Sequence, residues 1–95
     1  MALKVLVTPS FERVVKKMLE KDKRTVDKVV TAIAENPAIG KENKGDLLGA
    51  FVHKFKLNKQ ETLLAYSLQH TKIKPKTVVL LAVGPHENFY TTLKR

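Results

Sequence analysis

The hydrophobic spacing of this chain changes period once, and that change divides it into a helical half and a strand half. Phe11, Val14, Val15, Met18 and Leu19 recur at i, i+3, i+4, i+7 and i+8, and Val26, Val29, Val30, Ile33 and Ala34 repeat the spacing. Side chains so placed share one side of a helix, so both segments are expected to lie as amphipathic helices on a common core. From Gly49 the period becomes two. Phe51, His53, Phe55 and Leu57 point one way, and Val52, Lys54 and Lys56 point the other. That is the pattern of a strand with one face on a core.

The punctuation between these segments sets the element order. Residues 3–7 read as a first strand, and Thr8-Pro9 offers a helix cap followed by proline at the first helical position, where its missing N–H is harmless. Charges run continuously around residues 20–24, with Asp22 and Thr25 as the expected caps of the second helix, which Asn36-Pro37 ends. Residues 38–45 are polar, carry two glycines and read as a loop. Residues 58–61 are expected to turn a hairpin into a second strand at 63–68. A polar connector over 70–76, containing His70, leads to the continuous apolar run 77–83, and a short helix is expected over about 87–94. The order is β-α-α-β-β-β, an α+β fold in one domain spanning 1–95, with a mainly antiparallel sheet packed on two N-terminal helices.

Charge narrows the partners. The 95 residues hold 18 Lys+Arg against 9 Asp+Glu, a formal net charge of +9. So large an excess on a short chain points to a polyanion, with nucleic acid first, although a lysine-rich solvated surface or an acidic protein partner gives the same composition. There is no cysteine, which excludes disulfides and thiolate metal sites and fits a cytoplasmic protein. The apolar N-terminal stretch is broken at Lys4 and stops at Thr8-Pro9, so no signal-peptide core is expected. No stretch has the length of a membrane span, so no membrane partner is expected.

The residues that carry chemistry gather at the end of the apolar run. Val83-Gly84-Pro85 leads into His86, Glu87, Asn88, Phe89 and Tyr90. A histidine at a strand exit is suited to giving a proton to a leaving oxygen near neutral pH, and Tyr90 comes one helical turn later, where it would stack on a base or orient a phosphate. Phe89 and Leu93 read as anchors of the last helix. On the strand, Lys54 and Lys56 sit about 7 Å apart on one face, a spacing that holds a phosphodiester and stabilises the charge of its transition state. A solvated strand face is the alternative. His53 shares the other face with Phe51, Phe55 and Leu57 and reads first as a core histidine, reaching the site only if the strand is bulged or twisted. Scattered histidines without an H-x₃-H spacing or an acidic cluster give no metal site, and no cofactor is expected. With RNA the substrate supplies its own 2′-OH nucleophile, so positioned acids, bases and cations suffice.

These residues, in this order, resemble the RelE/ParE superfamily of type II toxins over essentially the whole chain. The likeness runs through Val5-Leu6-Val7-Thr8-Pro9-Ser10-Phe11, the two helices, Gly49 with His53-Lys54-Phe55-Lys56-Leu57, Leu63-Leu64-Ala65-Tyr66, and Leu81-Ala82-Val83-Gly84 before His86. The resemblance implies a toxin that cleaves mRNA in the ribosomal A site without metal. Its roles fall on His86 as general acid, Lys56 as general base or phosphate stabiliser, Lys54 as phosphate stabiliser and Tyr90 as the stacking or orienting aromatic, with Lys59 a further RNA-binding cation. Leu63 stands where RelE-like relatives have an arginine, so a residue such as His53 would have to replace the missing cation. The resemblance also implies a cognate antitoxin whose acidic segment wraps the toxin. Within the superfamily the alternative is a ParE-like inhibitor of DNA gyrase without nuclease activity. Outside it, the alternative is a basic RNA- or protein-binding module without catalysis.

Overall fold

Thr8 caps the first helix and ties its start to a neighbouring strand of the sheet. Its side-chain oxygen accepts from the Phe11 N–H (3.3 Å) and donates to the Leu80 carbonyl (2.9 Å), while its own N–H reaches the same Leu80 carbonyl (3.2 Å). The cap and the strand register are therefore set by one residue. The computed structural model describes residues 3–42, 50–70 and 75–85. Along them run β1 (Lys4–Val7), α1 (Pro9–Lys16), α2 (Glu20–Glu35), a 3-10 turn (Pro37–Ile39), β2 (Lys41–Glu42), β3 (Ala50–Leu57), β4 (Gln60–His70) and β5 (Pro75–Pro85). The sheet order is β1-β5-β4-β3-β2, with β1 parallel to β5 and every other pair antiparallel. This is a single α+β domain with a five-stranded mixed sheet.

Both helices bury their apolar stripes on one side of that sheet. Phe11, Val26 and Ile33 meet Leu64, Tyr66, Val78, Leu80 and Val83 in one cluster, against which Val5, Val15, Phe51 and Phe55 also pack. A smaller cluster occupies the other side, where Leu63 and Ala65 are buried against Val52, Leu81 and Ala82. One extra residue makes this division possible. Between Ala65 and Tyr66 the β4–β5 register slips, so that Ala65 pairs with Ala82 and Tyr66 with Leu80, and Leu81 is left as a bulge. Val78 and Leu80 before the bulge and Val83 after it thus all face the helices.

The structure corrects several boundaries. A further short strand, β2, pairs Lys41 with Val52 and Glu42 with Phe51 inside the segment expected to be a loop, so the order gains a strand. Helix α1 stops at Lys16, because the Lys17 and Met18 N–H groups bond three residues back, to Val14 and Val15 (3.2 and 3.0 Å), tightening the last turn. Val14 and Leu19, expected on the buried stripe, are consequently exposed (41% and 65%). Helix α2 begins at Glu20 with Leu19 at the cap position and no side-chain cap. Asp22 and Thr25 lie inside the helix instead, Thr25 donating its hydroxyl to the Lys21 carbonyl (3.2 Å). The expected turn at 58–61 is only Asn58-Lys59, and β4 and β5 are each 11 residues long, outrunning the expected strands at both ends. The expected helix at about 87–94 lies outside the described residues.

Tyr66 closes the core against the end of α2. Fully buried, it stacks on Phe51 with ring centroids 5.5 Å apart, donates its hydroxyl to the Pro37 carbonyl (2.6 Å) and accepts from the Gly40 N–H (3.0 Å). A Cβ at Gly40 would run into the ring, 2.8 Å from Cε1 and Cζ, which explains glycine there. Burial raises the phenol's pKa, opposed in part by the Gly40 hydrogen bond. Tyr66→Phe is expected to cost about 1–3 kcal/mol at neutral pH, since a backbone acceptor and donor lose their partner, and urea unfolding measures it. The gap between wild type and Tyr66→Phe should hold up to about pH 10, the ordinary phenol value. It should then close as pH rises through the higher folded value, because only the unfolded chain gains by ionising early.

Candidate nucleic-acid interface and catalytic face

The hairpin that carries the two lysines is built by its turn. Asn58 and Lys59 have positive φ, 54° and 65°, the hand that matches the twist of paired strands, and asparagine is among the few side chains that adopt it readily. Asn58 is held further by Asp22, a buried residue of the first turn of α2, whose Oδ2 accepts from Asn58 Nδ2 at 2.9 Å. The hairpin tip is thus fastened to the helical layer by one polar contact.

A two-residue turn dictates what stands opposite what. Leu57 pairs with Gln60, Lys56 with Glu61, Lys54 with Leu63 and Val52 with Ala65. Lys54 and Lys56 lie on the side of the sheet away from the helices, as alternation predicts, and both are exposed. Glu61 joins them there. Its Oε2 lies 3.9 Å from Lys54 Nζ on the diagonal, with the two side chains 46% and 61% exposed. On the far side of β4, Leu63 pairs with Gly84, so Lys54, Leu63 and Gly84 form one row across three strands. Two cations, one carboxylate and a backbone position free of Cβ therefore share one face.

The remaining sequence-derived site residues divide. His53 pairs with Leu64 and lies parallel to Phe55, ring centroids 6.3 Å apart, on the helix-covered side. The sheet separates it from Lys54 and Lys56, and no bulge in β3 turns it around. Lys59 is exposed at the hairpin tip. Leu63, only 3% exposed, fills the middle of the lysine face with an apolar side chain. His86 and Tyr90 lie outside the described residues. Glu61, read in the sequence only as part of a turn, is the residue that sequence reasoning missed. Placing the turn at Asn58-Lys59 would have found it, since that register puts Glu61 opposite Lys56. Among the described residues no group of His, Cys, Asp and Glu could hold a metal ion.

A different concavity lies on the helix side. A cleft of about 480 Å³ opens between β1, α1 and α2, floored by Val5, Phe11, Val15 and Val26 and rimmed by Glu12, Lys16, Lys23 and Asp27. Its floor is apolar and its rim balanced in charge, which is unlike the lysine face. Among the described residues no helix is long and apolar enough to cross a membrane.

Comparison with known proteins follows this geometry. A family model described as the ParE-like toxin of type II bacterial toxin-antitoxin systems matches residues 5–94. No curated protein matches the chain in sequence. Among solved structures, the toxin-antitoxin complex RelBE2 from Mycobacterium tuberculosis aligns with TM-score 0.73 at 20% identity, over 90% of this chain and all of that one. A double mutant of the Escherichia coli toxin RelE in the free state gives 0.68 at 18% identity, over 98% and 90%. The archaeal RelE-RelB complex from Pyrococcus horikoshii gives 0.59 at 14%, over 92% and 98%. At these identities the likeness establishes the fold.

The positive φ of Asn58 has a measurable cost for other side chains. Asn58→Ala should destabilise the protein by about 1–2 kcal/mol more than Asn58→Gly, because both lose the hydrogen bond but only alanine is strained at positive φ. Thermal unfolding of the two variants side by side checks this.

Proposed function

The chain belongs to the ParE-like family of type II toxin-antitoxin toxins, and from that premise we propose that it arrests translation by cleaving mRNA on the ribosome. The observation that carries the reading is the exposed pair Lys54 and Lys56 on the helix-free face, in one row with Gly84. Two lysines whose backbone positions lie about 7 Å apart along one strand suit a phosphodiester, and a cation pair on one face is worth most when charge builds on the phosphoryl oxygens. His86 follows Gly84 by two residues in sequence, a length that spans at most about 7 Å of chain.

The chemistry is an in-line transfer with the substrate as its own nucleophile. The 2′-oxygen loses its proton to a base and bonds to phosphorus. The bond from phosphorus to the 5′-oxygen breaks, and His86 gives that oxygen a proton. The products are a 2′,3′-cyclic phosphate and a 5′-hydroxyl. Lys54 and Lys56 hold the phosphate, with Lys56 also placed to serve as base; Tyr90 stacks on or orients the RNA, and Lys59 adds a cation at the tip. The solved relatives are RelB–RelE complexes or a RelE toxin, which supports a cognate antitoxin as partner, and the +9 charge favours an acidic wrapping segment. The cytoplasm, where ribosomes and mRNA are, is the proposed location.

A second reading is favoured by two observations. The matching family model is named for ParE-like toxins, and Leu63 occupies the centre of the lysine face. Under that reading the protein inhibits DNA gyrase and cleaves nothing. Purified protein incubated with programmed ribosomes separates the two: new mRNA 3′ ends inside codons support cleavage, whereas intact mRNA with inhibited supercoiling overturns it. His86→Ala should lower the cleavage rate about 10²- to 10⁴-fold, the usual loss on removing a general acid, with the fold unchanged by circular dichroism.

A further inference from the structure

We infer that Glu61 is the general base of this cleavage, an assignment that rests on the nuclease reading above and leaves Lys54 and Lys56 as phosphate-binding cations only. A base has to reach the substrate without its proton. An exposed lysine side chain carries its proton at neutral pH, and lysines become bases where burial or a neighbouring cation drives the proton off. Lys56 is exposed and the Lys54 side chain is 61% exposed, and each has a carboxylate for a neighbour. Glu61, by contrast, stands beside both cations.

Position supports the assignment. The two-residue turn places Glu61 directly across from Lys56, with Cα atoms about 5 Å apart, and its Oε2 lies 3.9 Å from Lys54 Nζ. The carboxylate therefore stands on the adjoining strand beside both groups that would grip the phosphate. In RNA the 2′-hydroxyl sits on the carbon next to the one that bears that phosphate, and at attack its oxygen lies about 3 Å from phosphorus. A base beside the phosphate grip is thus within reach of the nucleophile. The contact with Lys54 lies at the surface, where solvent leaves an ion pair weak. An arriving phosphate replaces Glu61 on Lys54, and the carboxylate turns to the 2′-hydroxyl.

Written in full, Glu61 Oε takes the 2′-OH proton as the 2′-oxygen bonds to phosphorus. The P–O5′ bond breaks, and the 5′-oxygen takes the proton of His86. Glu61 then returns its proton to solvent, or to His86 through water. No oxidant, metal or covalent enzyme intermediate enters.

The test is single-turnover cleavage of mRNA on programmed ribosomes by the full-length wild type, Glu61→Gln and Lys56→Ala. Glu61→Gln should lower the maximal rate about 10²- to 10⁴-fold with little change in the half-saturating concentration, whereas Lys56→Ala should act mainly on that concentration. A rate that keeps climbing toward about pH 10, where lysine titrates, would make a lysine the base. Glu61→Gln that cleaves as fast as wild type, or binds RNA more tightly and cleaves faster, shows that Glu61 only competes with RNA for the lysines and overturns the assignment alone. Wild type that leaves mRNA intact overturns both this and the nuclease reading. Thermal unfolding confirms that the exposed substitution leaves the fold intact.

Discussion

Everything in this fold is organised around a strand that is withdrawn from water on both faces. From Thr62 to Tyr66 every residue of β4 is at most 4% exposed, and both edges of the strand are hydrogen-bonded, to β3 on one side and β5 on the other. Even-numbered side chains there meet the helices, and odd-numbered ones form the smaller cluster opposite. A strand so enclosed cannot slip by one residue without exchanging its two apolar sets. Its neighbours inherit that fixed register, and the positions of Lys54, Lys56 and Gly84 relative to one another follow from it.

The two polar fastenings lie at opposite ends of this sheet and do different work. Tyr66 ties the centre of β4 to Pro37 and Gly40, just past α2, where burial makes each unmet hydrogen bond costly. Asp22 ties the hairpin tip to the start of the same helix. Helix α2, 16 residues long, therefore reaches about 24 Å along the sheet and is pinned near both ends. The helical layer consequently holds still a face that it never touches.

How much of this could be read beforehand depended on whether a residue's partner was near in sequence. The 3.6-residue and two-residue periods located both helices and β3, and Thr8-Pro9 announced the first cap, because those signals are local. They even assigned Lys54 and Lys56 to one face and His53 to the other. Leu63-Leu64-Ala65-Tyr66 carried no usable period, since a strand buried on both faces has no polar side to mark alternation. Asp22 looked like a cap because its partner, Asn58, is 36 residues away. Glu61 was hidden by a turn read two residues too long. Strand β2 is two residues whose pairing comes from β3 and not from their own character.

The bulged Leu81 in β5 has a wider effect than its size suggests. Before Leu81 the strand presents its even-numbered residues to the helices, and after it the odd-numbered ones. Leu81 therefore acts as a phase shift in a two-letter code, and Ala82, Val83 and Gly84 are spelled onto the opposite side from where simple counting would put them. Straightening the strand with Leu81 paired in regular register would turn Gly84 toward the helices, whereas deleting Leu81 would make the alternation regular and leave Gly84 on the lysine face. The chemical identity of the lysine face is thus encoded partly in how the strand before it is paired, a property that no substitution at the face itself would reveal.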